Sequence, residues 1–314
     1  MRRPPSKLVT AIAAAGVAVL AGAGCEAKVY GTPPPPAESP VVVVAPQGSM
    51  APLPEAPPGE AAASFAGLQD RTQQATTDAA AAGADLTATV LDRNTGQVVS
   101  NGNGMAMPIA SVVKVFIADD LLLQVAEGKT ALSPEDREAL DFMLRASDDS
   151  AAEVFWNRSG GSDVIARIKD RYGLGATTAP YNGRWFNTLS TSADLVHYYD
   201  MLLSGAGGLP PEQTDMILSD LAGHTPTAPD GTVPGGVYPQ RFGIPDGLYA
   251  EPVAVKQGWF CCWNGGNWVH LSTGVIGPDR RYVMAIGSMQ PADDVTARNT
   301  ITDAVKTMFP GGRI

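Results

Sequence analysis

Met107-Pro108-Ile109-Ala110-Ser111-Val112-Val113-Lys114-Val115-Phe116-Ile117-Ala118-Asp119-Asp120-Leu121-Leu122-Leu123 is the stretch that decides how this chain is read. From Val112 to Ala126 most positions are apolar, which predicts a helix hydrophobic most of the way round and lying inside a domain. At about 100° per residue, Ser111 and Lys114 fall about 60° apart on one side of that helix. Asp120, Gln124 and Glu127 cluster on roughly the opposite side, with Asp119 between, as an ordinary exposed edge would. Lys114 is thus set apart from the solvated face, one turn after a serine at the helix start. A lysine in a dry site tends to lose its proton, and a neutral amine beside a hydroxyl can take the hydroxyl proton. Ser-x-x-Lys by itself is a common spacing, so its meaning depends on the rest of the chain.

Upstream, Arg2, Arg3 and Lys7 precede an apolar run from Leu8 to Leu20, and Gly22-Ala23-Gly24 leads into Cys25. This is the pattern of a signal segment over residues 1–24, too short for a comfortable membrane span. The small residues before Cys25 resemble the lipobox of bacterial lipoproteins, which implies lipidation of Cys25. Gly22 stands where that motif usually has leucine, and a secreted protein cleaved nearby is the alternative. Residues 25–59 are rich in proline, with Pro33-Pro34-Pro35-Pro36 at the extreme, and predict an extended, disordered stalk without a core of its own. About 250 residues remain, enough for one well-buried domain. The formal charge is −10. Without the signal's basic residues it falls to about −13, which argues against nucleic acid and anionic lipid surfaces as partners.

Within residues 60–314 the pattern predicts a helix from Glu60 to Ala82, strands at Thr87–Asp92 and Gln97–Ser100, then the Ser111 helix. Ser133-Pro134-Glu135-Asp136 starts a helix reaching Arg145, and further helices follow through Trp156, up to Gly173, and from Thr191 and Pro211. His224 to Pro252 is dense in glycine and proline and reads as an irregular crossing. Strands at Val253–Trp263, Trp268–Ile276 and Arg281–Ser288 precede a last helix at Asp293–Met308. The fold class is therefore mixed α/β of the α+β kind, an antiparallel sheet flanked by helices. The sheet part is 60–106 and 223–314, and 107–222 is an inserted all-helical part. His197, His224 and His270 are scattered without ligand spacing, so no metal is expected. Adjacent cysteines in a strand point to opposite faces, so Cys261 and Cys262 are expected as two separate thiols, with a vicinal disulfide as the alternative.

Three polar clusters stand in order: Ser111-Val112-Val113-Lys114 at a helix start, Ser147-Asp148-Asp149 between helices, and Lys256-Gln257-Gly258 in a strand. This order resembles the Ser-x-x-Lys, Ser-Asp-Asn and Lys-Thr-Gly signatures of the penicillin-recognising serine enzymes, class A β-lactamases and DD-peptidases. Val90-Leu91-Asp92, Thr95-Gly96, Thr191-Ser192-Ala193-Asp194-Leu195 and Gly243-Ile244-Pro245 extend the likeness to most of Asp85–Ile314. The whole chain also resembles a lipidated branch of that superfamily, the LppW-type mycobacterial lipoproteins.

The resemblance implies a β-lactamase/transpeptidase-like fold and no cofactor. It makes Ser111 the acylated nucleophile and Lys114 its proton acceptor. Ser147 would pass a proton to the leaving group, and Lys256 would hold charge near it. The backbone N–H groups of Ser111 and Trp259 would form the oxyanion hole. Asp149, Gln257, Gly258 and Trp259 fall at substrate-binding positions. Three departures bear on activity. Asp149 replaces an amide, Gln257 replaces a threonine hydroxyl, and the loop Ala176–Ser190 contains no acid where class A enzymes carry the base that activates the deacylating water. The bland readings are a capping Ser111 or Ser147, a turn-forming Asp148 and a solvent-reaching Lys256. Two functions stay open: a serine acyl-transfer enzyme acting on an envelope peptide, ester or amide, and a binding or scaffold lipoprotein that has lost turnover. Efficient β-lactamase activity is not expected. Either function implies a monomer on the extracytoplasmic face of the cell membrane, anchored through Cys25 and meeting a cell-wall peptide or other envelope ligand.

Overall fold

A computed structural model describes residues 65–231 and 233–314. The signal segment, Cys25, the proline-rich stalk and the first residues of the Glu60–Ala82 helix lie outside them. Helix α1 (Leu68–Ala81) leads to strands β1 (Asp85–Asp92), β2 (Gln97–Ser100) and the two-residue β3 (Met107–Pro108). A 3₁₀ turn at Ala110–Val112 opens α2 (Val113–Ala126), followed by α3 (Pro134–Arg145), α4 (Asp149–Arg158) and α5 (Asp163–Tyr172). Then come β4 (Leu189–Ser190), α6 (Ser192–Ser204), α7 (Pro211–Ala222), β5 (Thr227–Asp230), β6 (Gly236–Pro239) and the single turn α8 (Ile244–Gly247). Strands β7 (Val253–Trp263), β8 (Asn267–Ile276) and β9 (Tyr282–Gln290) and helix α9 (Asp294–Met308) complete the chain.

Local chemistry places most of these boundaries. Ser133 accepts from the Asp136 N–H while the Asp136 carboxylate accepts from the Ser133 N–H, a reciprocal cap with Pro134 in the first turn. Asp148, Thr191 and Asp293 cap α4, α6 and α9 in the same one-sided way. Helix α6 ends on Gly205 at φ 72°, a left-handed position that a residue with a Cβ resists.

The main sheet has five antiparallel strands in the order β2-β1-β9-β8-β7. Alternation along each strand feeds two cores. On β9, Val283 and Ala285 join α2 and the other inserted helices, while Met284 and Ile286 join α1 and α9 on the other face. The late strands thus close against β1, with helices α2–α7 inserted between the two halves of the sheet.

Two sequence expectations change here. His224–Pro252 is not irregular, because β5 and β6 pair as a hairpin with Ala228 opposite Tyr238, and α8 follows. Pro229 and the glycines around Gly236 mask that ribbon from any alternation pattern. Nor do Asp119 and Asp120 form an exposed edge on α2. Asp120 takes a two-pronged ion pair from Arg167 at 2.7 and 2.8 Å. Asp119 is fully buried and accepts from Arg171 at 2.6 Å, Tyr172 at 2.6 Å and Tyr198 at 3.0 Å. Burial pushes the Asp119 carboxyl up from its ordinary value, opposed by the Arg171 charge and the phenol donors. Among the described residues no helix is long and apolar enough to cross a membrane.

Candidate active site

The Ser111 turn is held from two sides. Strand β3 pairs with β4, Met107 facing Ser190, and the Ile109 N–H donates to the Thr188 carbonyl at 2.9 Å, so backbone hydrogen bonds tie the 176–190 loop to the turn. On the other side runs β7, the edge strand of the main sheet. Gly258 lets it come close: a Cβ there would meet the Ile109 carbonyl oxygen at 2.7 Å and the Ser111 nitrogen at 3.3 Å. We expect Gly258→Ala to push the turn aside and cost about 1–3 kcal/mol of stability. Thermal melting and the labelling rate of Ser111 check this, and an unchanged value of both would contradict it. Ala110, directly before Ser111, has φ 47°, and Ser147 has φ 58°. Both are non-glycine residues in the left-handed region, which folds tolerate where the surroundings over-determine the position.

Lys114 enters from the first turn of α2 and is 0 % exposed. Its Nζ donates to the Ser147 carbonyl at 2.6 Å, the Ser147 Oγ at 3.2 Å and the Asp149 Oδ1 at 2.6 Å. It also lies 4.9 Å from the centre of the Trp185 ring. Three acceptors match the three N–H donors of an ammonium, not the two and a lone pair of a neutral amine. Burial lowers the Lys114 pKa from its ordinary value, and the Asp149 charge pulls it back up. The sequence reading expects a neutral amine beside a serine; the structure surrounds that amine with acceptors. Among the described residues Ser111 Oγ makes no hydrogen bond to it.

Lys256 comes from β7, 1 % exposed, and donates to the Ser147 Oγ at 2.8 Å and the Gln257 carbonyl at 3.0 Å. Burial first, then the Lys114 charge, pushes its pKa well down. So it does not reach solvent, and Ser147 is gripped by both lysines instead of capping α4. Asp148 does the capping, accepting from the Ala151 N–H at 2.7 Å. The Gln257 carbonyl faces Lys256 at the open edge of β7, and strand alternation puts the Trp259 N–H on that same edge.

The side chains of Gln257 and Trp259 take the opposite face to Lys256 and Gly258. Gln257 is buried, and its Nε2 donates to the Gln240 and Phe242 carbonyls at 3.0 and 2.5 Å. Its amide therefore does not stand in for the threonine hydroxyl, contrary to the sequence expectation. The Trp259 ring stacks on Tyr238 with centres 4.5 Å apart and packs edge-on to Phe242.

A cavity of about 300 Å³ opens over these groups. Ser111, Asp149 and Trp259 line it together with Trp185, Phe186 and Phe260, which the sequence reading did not single out. Trp185 and Phe186 sit in the acid-free loop, where an indole rather than a carboxylate faces Lys114. One acid does touch that loop from α4: Glu153 accepts from the Trp185 Nε1 at 3.1 Å. Cys261 also lines the cavity and is joined to Cys262 by a disulfide across a cis peptide bond, so the expectation of two separate thiols is corrected. Among the described residues no cluster of His, Cys, Asp or Glu is placed to hold a metal.

Comparison with known proteins adds the following. The chain is 55% identical over 321 residues to "Putative lipoprotein LppW" of Mycobacterium tuberculosis, the alignment covering 100% of both chains. A β-lactamase from Chitinophaga pinensis superimposes with a TM-score of 0.61 at 17% identity, over 76% of this chain and 97% of that one. A class A β-lactamase from Bacteroides cellulosilyticus does so with 0.61 at 15% identity, over 77% and 97%. These likenesses show a β-lactamase-like fold. No family model matches the chain.

Proposed function

This chain belongs to the LppW lipoprotein family, and from that premise we propose a lipid-anchored envelope protein whose β-lactamase-like domain transfers acyl groups through Ser111. The relative's name as a lipoprotein supports the Cys25 anchor. One side of a membrane accessible to envelope substrates is the corresponding location.

The observation that carries the catalytic part is the double grip on Ser147. Two buried lysines hold one hydroxyl, with Lys114 Nζ at 3.2 Å and Lys256 Nζ at 2.8 Å, beside a serine that opens on the cavity. Once Lys114 has given up a proton, Ser111 Oγ attacks the acyl carbonyl and its proton passes to Lys114 Nζ. The Ser111 and Trp259 N–H groups hold the oxyanion, and one such donor is worth about 3 kcal/mol of barrier. As the bond to the leaving group breaks, Ser147 Oγ hands it a proton and is refilled by the lysine ammonium. An acyl-Ser111 remains. No carboxylate of the 176–190 loop is there to activate water, so the ester is released slowly.

The test is covalent: a fluorophosphonate or an activated ester adds mass to the protein at Ser111 and not to Ser111→Ala, and the ester adduct outlives a catalytic cycle. Rapid nitrocefin turnover would contradict the slow release. The 2.6 Å Lys114–Asp149 pair favours a second reading, a cleft that binds without turnover. In that case ligand binding survives Ser111→Ala and no adduct forms on the unaltered protein.

A further inference from the structure

Resting on the acyl-transfer reading, the chemistry of the cleft narrows its substrate. The charged group that the cavity offers is a carboxylate: Asp149 lines it with its side chain 50% exposed. Among the described residues the lining holds no Arg, Lys or His. Lys114 and Lys256 are sealed from an incoming anion at 0 and 1 % exposure and spend their donors on Ser147, Asp149 and the Gln257 carbonyl. Gln257, the residue at the carboxylate-binding position of the third motif, has turned its amide onto the carbonyls of Gln240 and Phe242. A substrate carboxylate entering here would face a like charge and no accessible cation, which costs binding.

The walls are the opposite of polar. Trp185 packs edge-on to Phe186 at 5.2 Å, Phe186 meets Phe260 at 6.3 Å, Phe260 meets Trp263 at 6.3 Å, and Trp263 meets Tyr181 at 6.5 Å. This chain of five rings starts above Lys114 and ends at Tyr181, which is 80% exposed. The Cys261–Cys262 disulfide borders it, and Pro229 lines the cavity too. Among the described residues, Asp149 and Ser111 supply the carboxylate and hydroxyl side chains of the lining.

We propose that the aromatic wall of Trp185, Phe186 and Phe260, continued beyond the cavity lining by Trp263, seats the apolar acyl chain of a neutral ester or amide, and that the cleft discriminates against substrates carrying a carboxylate. The acyl carbonyl then lies at Ser111, the chain runs along Phe186 and Phe260 toward Trp263, and the leaving group passes Ser147. Transfer forms the Ser111 Oγ–acyl bond and breaks the bond to the alcohol or amine, which leaves with the proton delivered through Ser147.

The test pairs two probes with the same chain and different charge, octanamide and octanoate, bound at pH 7.5 to the full-length Ser111→Ala protein and followed by quenching of tryptophan fluorescence. Each buried methylene is worth roughly four-fold in affinity. With all four extra methylenes buried, octanamide should bind up to about 250-fold more tightly than butanamide, and it should bind about ten-fold more tightly than octanoate. Phe260→Ser should abolish the chain-length gain, and Tyr181→Ser, at an exposed position free of folding risk, should reduce it. Octanoate binding as well as octanamide, a flat chain-length series, or preferential binding of chitotriose would each overturn the proposal. Neutral, chain-dependent binding without any acylation of the unaltered protein by p-nitrophenyl octanoate would sink the acyl-transfer reading and leave the ligand assignment standing.

Discussion

Asp149→Asn accelerates acylation of Ser111 at neutral pH, because the charge that favours the protonated amine is gone. The carboxylate at 2.6 Å is the group that draws the Lys114 pKa back up against burial. A general base must be neutral, so the acylation rate follows the deprotonated fraction of Lys114. It rises with pH through the Lys114 pKa and levels off above it. Removing the negative charge lowers that pKa further, moves the inflection to lower pH, and enlarges the neutral fraction at every pH below it. The measurement is a pH profile of the acylation rate with p-nitrophenyl octanoate for both proteins. An inflection that stays in place, or moves to higher pH, would show that Asp149 does not hold the base protonated.

The second large effect concerns stability. Asp119→Ala removes one carboxylate that serves the Arg171 guanidinium and the Tyr172 and Tyr198 hydroxyls at once, in the middle of the inserted helices. The Arg171 charge, 17% exposed at its side chain, is left without its partner, and two buried phenols lose their acceptor. Breaking a buried pair from one side costs about 3–5 kcal/mol, which in a domain of this size lowers the melting temperature by on the order of 10 °C. Asp119→Asn keeps an acceptor for the phenols and should cost less. Asp120→Ala should also cost less, because its partner Arg167 is 41% exposed and can turn to water. Equal losses for Asp119→Ala and Asp120→Ala would contradict this ranking.

Legibility in the sequence followed the range of the interactions. Helix α3 could be read from Ser133 to Arg145 because its cap closes within three residues, and β7 to β9 because their turns at Asn264-Gly265 and Gly277-Pro278 are local. The acids of α2 could not, because Arg167 and Arg171 stand 47 and 52 residues away and only packing brings them to Asp120 and Asp119. The same holds at the site. Ser111, Lys114, Ser147 and Lys256 were visible as ordered motifs, and the structure joins both lysines through Ser147 beneath the cavity that Ser111 lines. That Asp149 would claim Lys114 from 35 residues on was not visible, nor was the turning of the Gln257 amide onto two carbonyls. Strand alternation was the available signal for Gln257, since it puts neighbours in Lys256-Gln257-Gly258 on opposite faces. Trp185 and Phe186 offered a weaker hint: adjacent aromatic rings in a loop without clear periodicity.

We propose above all that Ser111 is an acylable nucleophile in a β-lactamase-like site that deacylates slowly. Intact-protein mass after exposure to p-nitrophenyl octanoate, for the unaltered protein and Ser111→Ala, tests it most directly. One octanoyl adduct should form on the unaltered protein and persist after excess ester is removed, and none should form on Ser111→Ala. An adduct of equal yield on Ser111→Ala, or no adduct on either protein, would contradict it.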